Sequence, residues 1–317
     1  MTELWTQPSW RAQAEAWIDV ELERLGLQVT GPTQQPHVRP WSTVLRIPTR
    51  DGDLYFKASA PVQAFEVPLL QALMDDFADR LPSVLDFDVE RAWMLMRDGG
   101  TQLREIVNDR RDLHHWLAVV PLYAELQIGV AARADELVGL GVPDLRLARL
   151  PERLAALLER GDVVPEVRDA IRVRVPRILE LCEELSSDGI PATLQHNDLH
   201  THNVLVRDGR YRIFDWGDSS ISHPFQTMRV TIRFVKQALA VSEDDGAVER
   251  VRDAYLEPWS GSRPRDALLR SFDVARIVAA LSDALTEDRH ITAAGLEVPP
   301  DDPRSTSRLL RDLLDEL

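Results

Sequence analysis

The sequence predicts an α+β fold in which a small antiparallel sheet precedes a large, mainly helical region. Two β-rich stretches flank Asp51-Gly52, and an Asp-Gly pair between such stretches is typical of a tight hairpin. After residue 100 the apolar residues recur at helical spacing, interrupted by one β-rich segment over residues 193–216. This order of elements predicts an N-terminal lobe over residues 1–97 and a C-terminal lobe over residues 98–317.

The N-terminal lobe is expected to begin with a helix and to continue as a sheet. Residues 1–27 combine tryptophan and aliphatic side chains with acidic ones, which is typical of an amphipathic helix and not of a signal peptide. Alternation and helical spacing then predict strands 43–49 and 54–58, a helix over 60–80, and strands 84–88 and 92–96. The run Arg97-Asp98-Gly99-Gly100 breaks this pattern and predicts a hinge.

The C-terminal lobe is expected to consist of long helices around the β-rich segment. Helices resume after that segment, near Pro224. Inside the segment, residues 204–207 and 211–214 alternate around Asp208-Gly209, which is a strong hairpin signal. The other helical patterns of this lobe cover residues 113–140, 151–159 and 166–185.

Charge and cysteine content exclude several classes of protein. The formal net charge is −15, whereas binding to nucleic acid or to an anionic membrane requires a basic surface. No apolar run approaches the roughly 18 residues that a membrane-spanning helix needs. Cys182 is the only cysteine, so an internal disulfide is impossible and a reducing cytoplasm is the expected location. We therefore expect a cytoplasmic protein that binds neither nucleic acid nor membrane.

The use of lysine singles out one position in the N-terminal lobe. Of the 37 basic residues, only Lys57 and Lys236 are lysines. A compact ammonium fits between a phosphate and a carboxylate in a way that the planar guanidinium of arginine does not. Lys57 and Tyr55 are expected on one face of their strand, because side chains alternate along a strand. Lys57 is therefore a candidate for a contact that arginine cannot make.

The hairpin over residues 204–214 predicts a metal site. Asn203 lies just before its first strand and Asp215 just after its second, so the two side chains should project into one small volume. An amide oxygen and a carboxylate suit Mg²⁺, which completes its shell with water and phosphate oxygens. Asp198 lies five residues before Asn203. In phosphoryl transfer, a carboxylate orients the hydroxyl group that accepts the phosphoryl group and takes its proton, and Asp198 has the residue type and the reach for this role.

Three strings resemble the aminoglycoside phosphotransferase and choline kinase-like family: His196-Asn197-Asp198-Leu199-His200, Asn203-Val204-Leu205 and Phe214-Asp215-Trp216-Gly217-Asp218. This resemblance extends the interpretation. Carried over by position, it implies that Asp198 is the catalytic base and that Asn203 and Asp215 hold the metal. It also implies that Lys57 contacts the α- and β-phosphates of a nucleotide and that His196 supports the catalytic loop, residues 196–203, through hydrogen bonds. The fold that it implies is two-lobed and protein-kinase-like, and its cofactors are Mg²⁺ with ATP or GTP.

The resemblance also implies partners for Lys57 within the N-terminal lobe. A carboxylate on the first helix after the hairpin should pair with Lys57, and Glu66 is the natural choice. Pro68 follows two residues later, which places Glu66 at the edge of the helix. The sequence contains no Gly-x-Gly-x-x-Gly loop, so the turn over residues 40–43 takes its place. Ser42 and Thr43 are the candidate phosphate contacts there.

Three other interpretations compete with a small-molecule kinase. His196, His200 and His202 could form the zinc site of a metallohydrolase, although a zinc site explains neither Lys57 nor the hairpin. A protein kinase needs a long activation segment after its metal-binding aspartate, whereas seven residues separate Asp215 from His223. A pseudokinase scaffold would bind nucleotide without turnover, and the presence of all three core residues gives no reason for inactivity.

The sequence therefore predicts a phosphotransferase that moves the γ-phosphoryl group of ATP or GTP to a hydroxyl group of a small molecule. The acidic charge favours an amine-bearing acceptor, such as an aminoglycoside-like antibiotic. A macrolide, a sugar and an amino alcohol stay open as acceptors.

Overall fold

The computed structural model describes residues 2–107, 112–161, 163–243, 245–261 and 263–317. The chain divides into two compact units. The first unit comprises Met1–Thr101 with Leu205–Gly217, and the second comprises Gln102–Val204 with Asp218–Leu317. A sheet forms the body of the first unit, and helices form most of the second.

The elements are named in chain order. The helices are α1 (Thr2–Thr6), α2 (Pro8–Leu25), α3 (Glu66–Phe77), α4 (Leu113–Val130), α5 (Ala134–Gly139), α6 (Leu150–Leu158), α7 (Pro165–Ser186), α8 (Met228–Leu239), α9 (Gly246–Leu256), α10 (Arg265–Ala294) and α11 (Thr306–Glu316). The strands are β1 (Gln34–Val38), β2 (Ser42–Thr49), β3 (Gly52–Ser59), β4 (Val84–Asp88), β5 (Trp93–Arg97), β6 (Thr101–Gln102), β7 (Thr193–Gln195), β8 (Val204–Arg207), β9 (Arg210–Ile213) and β10 (Ser220–Ser222).

The sheet of the first unit is antiparallel, with strand order β1-β2-β3-β5-β4. The predicted hairpin around Asp51-Gly52 is present as β2 and β3. The alternation pattern does not predict β1, because this strand at the edge of the sheet is largely polar and contains Pro36. His37 of β1 lies opposite Val44, and Val44 lies opposite Lys57. These three side chains share one face of the sheet, since directly paired residues point to the same side.

Helix α2 covers the opposite face of the sheet. Its buried residues recur every three or four positions, as the predicted amphipathic helix requires. They join a hydrophobic cluster with the strand residues Phe56 and Trp93, whose rings lie 5.4 Å apart in an edge-to-face arrangement. Burial of each large apolar side chain in this cluster stabilises the unit by about 2 kcal/mol. The helix residues that take part are Trp10, Ala14, Ile18 and Leu22.

Helix α3 begins later than the helix expected over residues 60–80. Residues Pro61–Gln63 form a short 3₁₀ turn, and α3 starts only at Glu66. Pro68 therefore lies in the first turn of α3, where its missing N–H would have no partner within the helix. Glu66 occupies the helix N-terminus, where the helix dipole favours a carboxylate.

The second predicted hairpin is present as β8 and β9, with the return strand starting one residue earlier than expected. Asp208 and Gly209 have φ angles of 53° and 71°, which a type I′ turn requires. Gly100 has a φ of 107° and packs closely against β8. A side chain at Gly100 would collide with the backbone carbonyl of Val206, so only glycine fits there.

Helix α4 supplies core residues of the second unit. The helix expected over residues 113–140 is interrupted after Val130, where a 3₁₀ turn separates α4 from α5. Within the described residues, Leu113–Gly139 is the stretch that is long and apolar enough to cross a membrane by length and composition alone, contrary to the expectation that the sequence has none. Trp116 and Tyr123 of this stretch are fully buried. The strands β7 and β10, of which β10 is not predicted by the sequence pattern, pair antiparallel beside it.

Candidate active site

Lys57 is buried between two carboxylates of the first unit. Its ammonium donates hydrogen bonds to Glu66 at 2.7 Å and to Oδ1 of Asp215 at 2.6 Å. Strand β3 supplies Lys57, the N-terminus of α3 supplies Glu66, and the turn after β9 supplies Asp215. The fold thus brings the two candidate nucleotide-site residues together with one candidate metal ligand.

The carboxylate of Glu66 is held by further donors. It accepts a hydrogen bond from the backbone amide of Trp216 at 3.0 Å and one from the hydroxyl of Ser59 at 3.2 Å. The Glu66 side chain is only 1% exposed, so these donors and Lys57 compensate for the loss of water. The position of Lys57 is therefore set by the protein itself.

The charges in this cluster shift one another's pKa. Burial lowers the pKa of Lys57, but the carboxylates of Asp215 and Glu66 raise it by more, so that it lies above its ordinary value. Burial raises the pKa of Glu66, and the nearby Lys57 opposes this rise without cancelling it. Lys57 consequently remains a cation at any physiological pH, as a contact to phosphate requires.

Asp215 combines a special backbone conformation with partial exposure. Its φ is 66°, in the left-handed region that residues other than glycine seldom adopt. Its side chain is 43% exposed although it accepts a hydrogen bond from Lys57. Next to this turn, a Cβ atom on Gly217 would lie 2.5 Å from the carboxamide carbon of Gln63. A side chain at position 217 would therefore require the end of the Gln63 side chain to move.

Ser42 and Thr43, the candidate phosphate contacts, point to opposite faces of the sheet. The register places Ser42 on the face that carries Lys57. The hydroxyl of Thr43 donates to the backbone carbonyl of His37 at 2.8 Å and accepts from the side chain of Gln35 at 2.9 Å. Thr43 thus ties β2 to β1, and a phosphate contact from either residue stays a prediction.

In the second unit, the carboxylate of Asp198 is held by two side chains of its own loop. Oδ2 accepts a hydrogen bond from Nδ2 of Asn203 at 2.9 Å, and Oδ1 lies 3.1 Å from Nε2 of His200. Asn203 and His200 are buried, whereas the Asp198 side chain is 34% exposed. The candidate base is therefore oriented by the protein and still open to a substrate.

Asn203 uses one end of its amide to hold Asp198. Nδ2 donates to the Asp198 carboxylate and also to the Asp198 backbone carbonyl, each at 2.9 Å. Both of these hydrogen bonds employ the nitrogen, which leaves the amide oxygen as the atom that could bind a metal. Asn203 belongs to the second unit and Asp215 to the first, and their joint binding of one ion stays a prediction.

His196 and Asn197 hold the backbone of the catalytic loop. Nδ1 of the fully buried His196 accepts a hydrogen bond from the amide of Asp198 at 3.3 Å. The His196 amide donates to the hydroxyl of Tyr123 on α4 at 2.8 Å. Asn197 has a φ of 62°, and its side chain donates to the Ser220 hydroxyl of β10 at 2.9 Å. Hydrogen bonds of this type are what the expected supporting role of His196 requires, and that role stays a prediction.

His200 contacts Asp198, whereas the residue pattern indicated for His200 only an alternative zinc site. Its Nε2 faces Asp198, and its Nδ1 accepts a hydrogen bond from the amide of His202 at 3.0 Å. Both ring nitrogens are thus engaged, whereas a zinc ligand needs a free ring lone pair. The Asp-x-His spacing is the sequence signal that could have identified this contact.

The chain resembles known phosphotransferases in sequence family and in fold. A family model described as the phosphotransferase enzyme family matches residues 42–266. No curated protein matches the sequence. Among solved structures, choline kinase LicA from Streptococcus pneumoniae is similar with a TM-score of 0.63 and 14% identity, over 96% of this chain and 99% of that one.

Two antibiotic phosphotransferases are similar to a comparable extent. Macrolide 2′-phosphotransferase MphH from Brachybacterium faecium has a TM-score of 0.56 and 19% identity, over 91% of this chain and 99% of that one. A GDP complex of aminoglycoside 2′-phosphotransferase-IIIa has a TM-score of 0.60 and 15% identity, over 96% of this chain and 97% of that one. At these identities the likeness shows the fold, which is the α+β, protein-kinase-like fold expected from the sequence. The family match covers well over half of the chain, and the chain therefore belongs to the phosphotransferase enzyme family, as a small-molecule kinase with a hydroxyl acceptor.

Proposed function

We propose that the protein transfers the γ-phosphoryl group of ATP or GTP to a hydroxyl group of a small molecule, with Mg²⁺ as cofactor. The observation that carries this proposal is the carboxylate of Asp198, which Asn203 and His200 hold at 2.9 and 3.1 Å while 34% of the side chain stays exposed. A fixed and accessible carboxylate is what an attacking hydroxyl requires. Residues 1–97 would act as the nucleotide-binding lobe and residues 98–317 as the acceptor-binding lobe.

Lys57 is the residue that would neutralise the α- and β-phosphates of the nucleotide. Glu66 holds its ammonium at 2.7 Å, so the cation is in place before a nucleotide binds. Ser42 and Thr43 begin strand β2 and do not lie in the expected turn, and of the two only Ser42 shares the face of the sheet that carries Lys57. Two of the similar structures are GDP complexes of aminoglycoside phosphotransferases, which supports GTP as a candidate donor beside ATP.

The residues present fit a magnesium ion. Asn203 offers an amide oxygen, because its nitrogen is engaged with Asp198, and Asp215 offers a carboxylate that is 43% exposed. Oxygen ligands of these two kinds are those that Mg²⁺ prefers. When bound, the ion would neutralise negative charge on the transferred phosphoryl group.

The protein's own contribution to the reaction is positioning and proton removal. Asp198 orients the acceptor hydroxyl and receives its proton, so that an O–H bond of the acceptor breaks and one on Asp198 forms. The acceptor oxygen forms a new bond to the γ-phosphorus while the bond to the leaving nucleoside diphosphate breaks. Phosphoryl transfer needs little covalent help, so correct placement supplies most of the rate.

An amine-bearing acceptor is the first candidate. The net charge of −15 favours a cationic ligand, and the similar structures include a choline kinase and a complex with kanamycin. A macrolide is the second candidate, since a macrolide phosphotransferase is also among them. A cytoplasmic location without nucleic-acid or membrane partners is part of the same proposal, as the charge and the single cysteine suggest.

The test is release of nucleoside diphosphate with Mg²⁺ and either ATP or GTP. The acceptor panel contains kanamycin and other aminoglycosides, erythromycin, choline, ethanolamine and simple sugars. We expect release that depends on one acceptor class, with a phosphorylated product visible by mass spectrometry, and loss of both in Asp198→Asn. Turnover that persists in Asp198→Asn contradicts the proposal. Nucleotide binding without turnover on the whole panel would instead favour a pseudokinase scaffold.

A further inference from the structure

We propose that His200 is the positioning residue that fixes the Asp198 carboxylate, through a hydrogen bond from its Nε2–H to Oδ1. This inference rests on the proposed function, in which Asp198 is the base. The Nε2–Oδ1 distance is 3.1 Å, and the second carboxylate oxygen accepts from Asn203 at 2.9 Å. With one donor on each oxygen, rotation of the carboxylate about its bond to Cβ is restricted from both sides.

The protein backbone sets the tautomer of His200. The amide of His202 donates to Nδ1 of His200 at 3.0 Å, so Nδ1 must carry a lone pair and not a proton. The ring proton of the neutral imidazole is therefore on Nε2, where it points at Asp198. This arrangement makes His200 a donor to the ionised carboxylate and keeps Oδ1 in one place.

Helix α8 holds the ring of His200 in position. His200 is buried, and its ring lies at 4.2 Å from the ring of Phe234, tilted by 31°. Thr231, one turn earlier on α8, donates its hydroxyl to the backbone carbonyl of Leu199 at 2.9 Å. The loop is thus fixed to α8 at two consecutive residues, one through the backbone and one through the ring.

The same geometry excludes His200 as a carrier of the substrate proton. Nε2 already bears a hydrogen, and the lone pair of Nδ1 is occupied by the amide of His202. A proton that Asp198 takes from the acceptor consequently has no open site on this ring. It leaves from Asp198, whose side chain is 34% exposed, to solvent or product.

His202 provides a matched control in the same loop. Its side chain is exposed and its ring lies edge-on to the ring of His200 at 4.8 Å, but its hydrogen bond to His200 comes from the backbone amide. His202→Gln keeps that amide and therefore keeps the tautomer of His200. A comparison of the two histidines separates the hydrogen bond to Asp198 from any general effect of changing a histidine in this loop.

The experiment compares His200→Phe, His200→Gln and His200→Asn with His202→Gln, using the panel acceptor that the wild-type protein phosphorylates fastest. Phenylalanine keeps the ring against Phe234 without a donor. Glutamine places an amide nitrogen near the position of Nε2, whereas asparagine is too short to reach Asp198. We expect kcat to fall by about 10- to 100-fold in the Phe and Asn variants. In His200→Gln and in the His202→Gln control, kcat should stay near the wild-type value.

Two readouts distinguish positioning from a structural role. The KM for the nucleotide and the melting temperature should stay near wild type in His200→Gln and His200→Asn, so that kcat alone separates them. Long-range ¹H–¹⁵N spectra of the full-length protein, assigned by the loss of signals in His200→Phe, should show the proton on Nε2 in the wild type and in His202→Gln.

The outcomes that would overturn the inference are also distinct. Equal kcat in the Gln and Asn variants, or a His200 proton on Nδ1, contradicts a positioning hydrogen bond. If Asp198→Asn in the same assay is inactive while all His200 variants are active, only this inference fails. If Asp198→Asn is active, or no acceptor is turned over by the wild type, the proposed function fails and this inference fails with it.

Discussion

The Lys57 cluster of the first unit and the Asp198 loop of the second hold their key groups by different means. Lys57 is a buried cation between the carboxylates of Glu66 and Asp215. Asp198 is held by the uncharged donors Asn203 and His200 and stays partly exposed. Buried opposite charges depend on one another, because removing one leaves the other without compensation. Hydrogen bonds to an exposed carboxylate orient it at little cost to folding.

The largest expected effect is on catalysis. Asp198→Asn keeps the shape of the side chain but removes the proposed base, so we expect kcat to fall by about 10²- to 10⁴-fold. Nucleotide affinity, measured by calorimetry with Mg²⁺, should stay within about twofold of wild type because Lys57 is intact. Lys57→Met should instead weaken nucleotide binding. Equal losses of nucleotide affinity in Asp198→Asn and Lys57→Met would contradict separate roles for the two sites.

The next effect compares the two lysines of the chain. Lys57→Met leaves Glu66 buried without its cation, and we expect a loss of about 3–5 kcal/mol in the free energy of unfolding. Lys236 pairs with Glu243 at the surface, where side-chain exposures are 34% and 42%. Lys236→Met should therefore cost only about 0–1 kcal/mol. Urea denaturation of both variants measures the difference, and similar midpoints would show that the Lys57 cluster does not stabilise the fold.

A second histidine–aspartate pair, His223 with Asp188, lies outside the catalytic loop. It tests whether the effect on turnover is specific to the His200–Asp198 pair. Nε2 of the buried His223 lies 3.0 Å from the Asp188 carboxylate, nearly the distance of the His200–Asp198 contact. Burial raises the pKa of Asp188, but His223, the backbone amide of Ile190 and the side chain of Ser271 together lower it by more, so the folded-state pKa lies below the ordinary value of 3.8. The ionised carboxylate therefore adds stability at neutral pH, and this contribution is lost as the pH falls through 3.8 towards the folded-state pKa.

We expect Asp188→Asn to lower the free energy of unfolding at pH 7 by about 1.5–3 kcal/mol, with kcat unchanged. Its stability should also decrease less than that of the wild type between pH 5 and the acid limit of folding, because the titrating group is gone. Chemical denaturation across this pH range measures both. A loss of turnover in folded Asp188→Asn would mean that the two pairs are not functionally distinct.

The last prediction concerns the turn after Asp215. Gly217→Ala would place a methyl group 2.5 Å from the end of the Gln63 side chain, which is flexible but 2% exposed. We expect a cost of about 1 kcal/mol. Gln63→Ala combined with Gly217→Ala should recover most of it, since the colliding atoms are removed. If the double variant is no more stable than Gly217→Ala alone, the loss of stability arises from backbone strain and not from the contact with Gln63.

The sequence predicts those parts of the fold whose signals are local. Asp51-Gly52 and Asp208-Gly209 each indicate a two-strand hairpin, and both hairpins are present because a turn needs only its own residues to form. The α+β class follows from the same local patterns. Strand β1 has no such signal, since it is a polar strand at the sheet edge that is defined by its pairing with β2.

The contacts of the candidate site also fall into those that a local sequence signal predicts and those that join distant residues. The spacing of Asp198 and Asn203 is short, and the two side chains do meet across their loop. The contact of Lys57 with Asp215 joins residues 158 positions apart, and nothing in the sequence predicts it. His200 shows a third case, because its position in the sequence suits zinc and carboxylate contacts equally well. Only the backbone amide of His202 decides which ring nitrogen faces Asp198.

The sequence was sufficient to predict the class of fold and the hairpins, because these depend on residue type and on neighbours along the chain. It also supplied the candidate residues for the proposed chemistry. The contact of Lys57 with Asp215 and the tautomer of His200 became apparent only in the tertiary structure. Burial and hydrogen bonding depend on groups that are distant in sequence. The state of an ionisable side chain is therefore settled only when the chain has folded around it.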